Sequence, residues 1–335
     1  MAEKTKSRAK IKKRKRRTKL ILSSLGFILL TGFIVAGSYL GWMYISAKNT
    51  VQKTYKDSNV TTVNKIETLK ASNSDTKISI LLMGLDNDSE RNIEGTRSDS
   101  IIYMVYDGSN KNIEMVSIPR DIWTDIYDGE GNIVDQNKIN SAYNWNEEDS
   151  MIETVKNYLD LPVDYFATVN FISFKEIIDA IGGIDVDVPY DINSEYTKDN
   201  SGSLLIPEGR QHLNGEQALV FSRIRKVDSD IDRGNRQQEV IKATIDQTLK
   251  INSLTKYKDI LNTVEDNVST NLTFDNLVGL AGGMLGGFNV NSNTFDWEGG
   301  YIGDQSVVYI KEDSFNDIRN KMLTSLDLAT TYTNE

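Results

Sequence analysis

Hydrophobic and polar positions alternate along this chain in a way that predicts a layered domain behind a single greasy segment. Leu20 to Ala47 is uncharged and mostly apolar, long enough to cross a bilayer as one helix. Ile78–Met83 is a short, nearly continuous apolar run ending at Gly84, the pattern of a buried central strand. Ile101–Tyr106 and Asn112–Ile118 predict two more strands, joined through Asp107-Gly-Ser-Asn110 as a hairpin. Asp149-Ser150 caps a predicted helix with Ile152, Val155 and Leu159 on one face. Val163–Phe171 predicts a strand, and Ser173 opens a helix carrying Phe174, Ile177, Ile178 and Ile181 that stops at Gly182-Gly183. Ile184–Val188 is the next strand, and residues 190–211 read as a loop or small hairpin.

Asn214–Phe221 begins a helix, Arg233–Leu249 is a long one, and Tyr257–Val264 and Phe274–Gly287 are two more. Ser306–Ile310 is a late strand and Ser314–Leu323 a helix. The alternation of strands and helices argues for an α/β layered domain. The Gly-rich run Leu277–Gly287 suits either core packing or the lining of a slot for a long hydrocarbon chain. The chain thus divides into a tail over 1–19, a span over 20–45, a stalk over 46–76, a layered domain over 77–324 and a C-terminal tail over 325–335.

Charge sharpens this division. Residues 1–19 hold eleven Lys/Arg and one acid, which by the positive-inside rule keeps the tail cytoplasmic and sends the remainder outward. Residues 20–335 keep 27 basic against 47 acidic residues, about −20, a polyanion that would repel nucleic acid. There is no cysteine and one histidine, His212, so disulfide frameworks and thiolate metal sites are excluded and a Ser-His-Asp triad is disfavoured. No Walker loop or dinucleotide fingerprint is present.

The densest chemistry lies in Phe221–Gln238, where Arg223, Arg225, Arg233 and Arg236 alternate with Asp228, Asp230 and Asp232. Guanidinium forks suit a ligand with several anionic oxygens such as a pyrophosphate, although a solvated run of ion pairs has the same composition. Arg233, Arg236 and Gln237 fall on one face near a helix N-terminus, where an anion is favoured. Asp86, Thr96-Arg97-Ser98-Asp99 and Pro119-Arg120-Asp121 follow strand ends or lie in loops, where ligands of open α/β sheets bind. Carboxylates beside a pyrophosphate call for a bridging divalent cation, and the arginines would clamp charge built up in phosphoryl transfer.

Taken together these motifs resemble the LytR-CpsA-Psr family. The resemblance rests on Leu-Leu-Met-Gly-Leu-Asp86, Thr-Arg97-Ser-Asp99-Ser, Ser-Ile-Pro-Arg120-Asp121 and Arg223-x-Arg225-x-x-Asp228-x-Asp230-x-x-Arg233-x-x-Arg236-Gln237. Val169-Asn-Phe-x-x-Phe174, Ile181–Val188 and Leu213–Ala218 are also similar, so it runs in order from about Ile78 to Leu249. It implies an α/β/α layered sandwich with a central mixed sheet, preceded by one transmembrane helix, in the cell membrane with its C-terminal domain outside. It implies transfer of a secondary cell-wall glycopolymer, such as teichoic acid or capsule, from a polyprenyl-pyrophosphate carrier to the C6 hydroxyl of N-acetylmuramic acid in peptidoglycan.

Carried over by position, Asp86 and Asp99 would hold Mg2+ (or Mn2+), and Arg97, Arg120, Arg223, Arg225 and Arg236 with Gln237 would bind the pyrophosphate. Arg233 and Asp230 would support them, Arg120, Arg223 and Arg225 would act in catalysis, and Asp121 is the candidate base. Departures from the family pattern are Asp88 where Arg is frequent (Arg91 lies nearby), Ile122 for Thr, and Asp232 for Gly. The competing expectations are a transcriptional attenuator, which the charge balance opposes, and a carrier-lipid binder or pyrophosphatase without glycan transfer.

Overall fold

The computed structural model describes residues 41–42, 44–61, 76–86, 97–194, 204–224, 230–250, 268–284 and 287–329. Most of the expected span therefore lies outside the described residues, as does the helix expected at 257–264. Among the described residues no helix is long and apolar enough to cross a membrane. The chain divides into two compact units, residues 1–49 and residues 50–335.

The second unit is the layered domain, built on a six-stranded mixed sheet. β1 (Lys77–Asp86) lies between β2 (Arg97–Asp107), antiparallel to it, and β6 (Tyr165–Asn170), parallel to it. β3 (Asn112–Ser117) forms the expected hairpin with β2. Asp107 fastens the turn, accepting hydrogen bonds from Ser109 Oγ at 2.7 Å, Asn110 N at 3.1 Å and Asn110 Nδ2 at 2.7 Å. Two strands from the end of the chain close the edges: β11 (Val268–Thr270) beside β6 and β12 (Asn289–Thr294) beside β3.

The period of two along the strands divides the core. Leu81, Tyr103, Val105 and Val116 face one side, against Met151, Ile152 and Val155 of α1 (Tyr143–Leu159) and Met322 and Leu323 of α6 (Glu312–Ser325). Ile80, Ile102, Met104 and Met115 face the other side, against Ile241 and Ile245 of α4 (Asp230–Leu249) and Leu277, Leu280 and Met284 of α5 (Phe274–Met284). A third cluster joins α2 (Phe171–Ile181), α3 (Gly215–Arg223) and α4 with β7 (Ile184–Val188) and β10 (Gly209–Leu213). The helix–sheet–helix layering is the mixed α/β architecture expected.

Several expectations need adjustment. The hairpin of β4 (Trp123–Tyr127) and β5 (Ile133–Lys138), the strand β12, and β13 (Trp297–Ile302), which pairs with β14 (Gln305–Ile310), had no clear signal in the sequence. After β7 the expected small hairpin is present as the pair β8 (Ile192–Asn193) and β9 (Leu204–Ile206). The compact unit begins near Thr50 rather than at residue 77: Val51 and Val60 are buried, and Lys56 N bonds Thr270 O at 2.9 Å. The stretch 50–61 is thus packed domain, and residues 62–75 of the expected stalk lie outside the described residues. In α1 the backbone leaves helical geometry at Asn146 and Glu147, so its regular part begins at Glu148, near the expected cap.

Candidate functional site

On the side of the sheet covered by α2, α3 and α4 there is a cavity of about 550 Å3. Its inner wall is apolar, made by Leu82, Ala167, Val169, Phe174, Ile177 and Val240 among others. Its polar groups include Asp99, Ser100, Arg120, Arg223, Arg233 and Gln237. A mostly apolar cavity with a few convergent polar groups is the general form of a small-molecule site.

Local structure explains why these groups meet. Gly84 pairs with Ser100 and Leu85 with Ser98, leaving Asp99 as the extra residue of a β-bulge. Bulges re-aim a side chain, and here Asp99 and its neighbour Ser100 both reach the cavity. Asp99 Oδ1 accepts from Arg120 Nη1 at 2.5 Å, while Ser100 Oγ donates to Gln237 Oε1 at 2.9 Å. Arg120 Nε lies 3.5 Å from Asp121 Oδ2 and makes no hydrogen bond there. Asp121 Oδ1 accepts from Lys138 Nζ at 2.9 Å. The Arg120–Ile122 loop is pinned from two sides, by Val308 N to Asp121 O at 3.0 Å and Asn140 N to Arg120 O at 3.3 Å.

The helices are set by close approaches and caps. Asn214 and Gln217 form a reciprocal capping box at the start of α3. Gly215 lies so near the α2 backbone that a Cβ there would come within 2.1 Å of Lys175 O. This seats Arg223 at the C-terminal end of α3, its guanidinium 4.1 Å from the Phe171 ring centroid in a cation–π contact. At the start of α4, Gly234 fits against Ser117, and Gln238 Nε2 donates to Ser117 Oγ and Asn293 O, each at 3.0 Å. That docking holds Arg233 and Gln237, one helical turn apart, in the cavity wall.

A profile of the LytR_cpsA_psr family matches residues 41–324. The chain belongs to the LytR-CpsA-Psr family. It is 37% identical over 270 residues to a Bacillus licheniformis protein named polyisoprenyl-teichoic acid–peptidoglycan teichoic acid transferase TagU, covering 80% of this chain and 82% of the relative. A protein of the same name from Bacillus subtilis strain 168 is 33% identical over 320 residues, covering 94% and 98%. Among solved structures, TagT bound to LIIa-WTA is similar with a TM-score of 0.65 and 27% identity over 76% of this chain and 92% of that one.

The residues expected from the LytR-CpsA-Psr pattern do not all gather in one place. Asp99, Arg120, Arg223, Arg233 and Gln237 share the cavity. Asp121 is outside its lining, one ion pair beyond Arg120. Arg236 is turned away from it: its Nε donates to Phe221 O at 2.9 Å and its Nη2 to Ile224 O at 2.5 Å, so it ties α4 to the end of α3. Arg225 and Asp228 lie outside the described residues, as do Asp88 and Arg91. Asp86 and Arg97 are paired at the end of the β1–β2 ladder, beside the bulge. Among the described residues no group of three or more acidic or histidine side chains could hold a metal ion.

His212 is not at the cavity; Nδ1 meets Asp185 Oδ1 at 2.7 Å and Nε2 meets Gly182 O at 2.9 Å. Its hydrogen bond holds the Asp185 carboxyl below its ordinary range. The Gly-rich helix does not line the cavity either: Leu280 is buried in the core, and a Cβ at Gly283 would meet Tyr106 Oη at 2.2 Å. Ser100 and Phe171, which orient Gln237 and Arg223, stand in the quoted motifs but were given no role from the sequence. The bulge that turns Ser100 inward has no sequence mark.

Proposed function

We propose that this chain is a membrane-anchored phosphotransferase that moves a secondary cell-wall glycopolymer from a polyprenyl-pyrophosphate carrier to the C6 hydroxyl of N-acetylmuramic acid in peptidoglycan. The observation that carries this reading is the cavity: apolar along its length, with three arginines, a glutamine and a carboxylate among its lining. A prenyl chain would lie along Leu82, Val169, Phe174 and Ile177, and its diphosphate would meet Arg120, Arg223, Arg233 and Gln237. The teichoic acid transferase names of the relatives agree with such a donor. The charge-free run at 20–47 behind a basic tail supports an anchor with the domain outside the cell.

Planar guanidinium groups bind phosphate oxygens through paired donors and stabilise the charge that spreads over them as the bond to the leaving group lengthens. Phe171 backs Arg223 and Asp99 holds Arg120, so both arrive pre-oriented. The acceptor oxygen attacks the phosphorus that bears the glycan and forms the new P–O bond. The bond from that phosphorus to the bridging oxygen breaks, and polyprenyl phosphate leaves with that oxygen. The hydroxyl proton passes to Asp121, which faces Arg120 on one side and Lys138 on the other. Asp86 and Asp99, at positions on neighbouring strands beside the bulge, would be the residues to hold a divalent cation, carboxylates being hard oxygen donors. When bound, such an ion would offset phosphate charge beside these acids.

The test is reconstitution. The full chain in detergent, given carrier-linked glycan, peptidoglycan and Mg2+, should release polyprenyl phosphate and join glycan to wall. Release with no glycan joined would instead assign a pyrophosphatase, and full turnover by Arg223→Ala would remove the cavity from the reaction.

A further inference from the structure

A second pocket, of about 450 Å3, is linked to the first through the ion pairs of Lys138, Asp121 and Arg120. Its walls come from β5, the turn that follows it, the first turn of α1 and the start of β14. Its chemistry is unlike the cavity's. Asn140, Asn144 and Gln305 supply amides, Trp145 an indole, and Asp135 and Lys138 one charge of each sign. Asn140 is only 4% exposed, and its backbone N–H donates to Arg120 O at 3.3 Å, which fixes it in the pocket wall. Trp145 is 52% exposed. It projects there because the helix breaks directly after it: Glu147 takes a positive φ of 48°, and Lys56 bridges Glu147 and the buried Glu148. Backbone held in a sparsely populated conformation to present an aromatic ring is a recurring mark of a ligand site.

A sugar ring has an apolar face of C–H groups and a rim of hydroxyls. An open indole beside several amides complements both features. Electrostatics narrows the choice of sugar. Among the described residues Lys138 is the pocket's one cation, and Asp121 already meets it at 2.9 Å. Asp135 adds a negative charge, so the pocket has no positive field to attract a polyphosphate chain. An uncharged, N-acetylated glycan fits it better than an anionic polymer does. Position narrows the role. Lys138, Asp121, Arg120 and Asp99 form one continuous chain of ion pairs from this pocket to the cavity that holds Arg223 and Gln237.

We propose that this pocket is the acceptor subsite: it takes an uncharged N-acetylhexosamine of a peptidoglycan glycan strand, with the sugar ring against Trp145 and its polar substituents on Asn140, Asn144 and Gln305. The assignment rests on the transferase reading, because it is transfer that requires a second, sugar-bearing substrate. It places the acceptor on the Lys138 side of Asp121 and the diphosphate on the Arg120 side.

Titration and transfer assays together separate the pocket from the transferase. The full chain in detergent is titrated with tetra-N-acetylchitotetraose, with a muramidase-released peptidoglycan disaccharide and, in a parallel arm, with a glycerol phosphate oligomer, following tryptophan fluorescence and heat. Trp145→Ala and Gln305→Ala are chosen because both side chains are exposed. The uncharged sugars should bind saturably and at least tenfold more weakly to both variants, while Val278→Ala, at a 45% exposed position on α5, binds as the parent does. In the transfer assay Trp145→Ala should raise the KM for peptidoglycan about tenfold and leave the donor KM in place. If transfer runs with an unchanged acceptor KM in both variants, the pocket assignment falls and the transferase stands. If sugar binding is lost in Trp145→Ala but no donor is ever cleaved, the transferase falls and the pocket stands as a glycan site. Binding of the glycerol phosphate oligomer with the sugars silent would overturn the assignment to an uncharged glycan.

Discussion

The two faces of the central sheet share strands and alternation but differ in what covers them. On one face Leu81, Tyr103 and Val105 are sealed under α1 and α6 with essentially no exposure. On the other, the next residue along the strand, Leu82, looks partly into an apolar cavity. Apolar patterning decides which side chains leave water. How closely the covering helices approach is a separate matter, set here by Gly215, Gly234, Asn214 and Gln238. Interiors normally pack to crystal density. An apolar wall left uncovered over several hundred cubic ångströms, with arginines among its lining, is therefore a place shaped for a ligand.

That contrast can be broken by mutation. Leu81→Ala should cost about 2–5 kcal/mol in denaturant unfolding, since it empties a dry core. Leu82→Ala should cost under about 1 kcal/mol, because its side chain already borders open space. Equal costs would abolish the distinction between the faces. Next in size, Arg120→Ala or Arg223→Ala should lower transfer about 100- to 1000-fold, the range for losing one charge-stabilising donor, with little change in unfolding midpoint.

Ile177→Trp would fill the cavity from α2. It should raise the donor KM about tenfold without destabilising the fold, because a ring entering open apolar space gains contacts. The smallest effect lies in the hairpin turn. Burial works against ionisation of Asp107, but hydrogen bonds from Ser109, Asn110 and Lys77 outweigh it and hold the carboxyl below its ordinary range. Its contribution is therefore complete above the unfolded carboxylate pKa of about 4 and is lost as pH falls through the lower folded value. Asp107→Asn should flatten the acid limb of the stability curve and leave the neutral plateau slightly lower.

Most of the sheet and helices could be read from period alone, because β1, α2 and α4 carry strong apolar repeats. β4, β5 and β12 could not. Asn289-Val-Asn-Ser-Asn-Thr294 is polar, and it is a strand because Asn291 and Asn293 bond Glu114 across the ladder at 2.7 and 2.8 Å. The site was legible as a set of residue types but not as an arrangement. Arg233, Arg236 and Gln237 do share one side of a helix, yet at about 100° per residue Arg236 and Gln237 diverge by a full step. Gln237 enters the cavity with Arg233, while Arg236 reaches back to α3. Of the two roles the sequence left open for α5, core packing is the one the structure shows. Small residues in α5 signalled close packing, and the close neighbour is Tyr106.

The order of the sheet has one more consequence. Both of its outer strands, β11 and β12, come from beyond residue 267, whereas the inner four are complete by residue 170. A nascent chain that has emerged only as far as α4 would carry two raw, unpaired margins, each a template for joining another copy. Finishing the sheet requires β12 to find β3 across more than 170 intervening residues, a slow and non-local step. Such a chain has good reason to be held unfolded until its last fifth is free, and fragments that stop short of β12 should clump rather than fold.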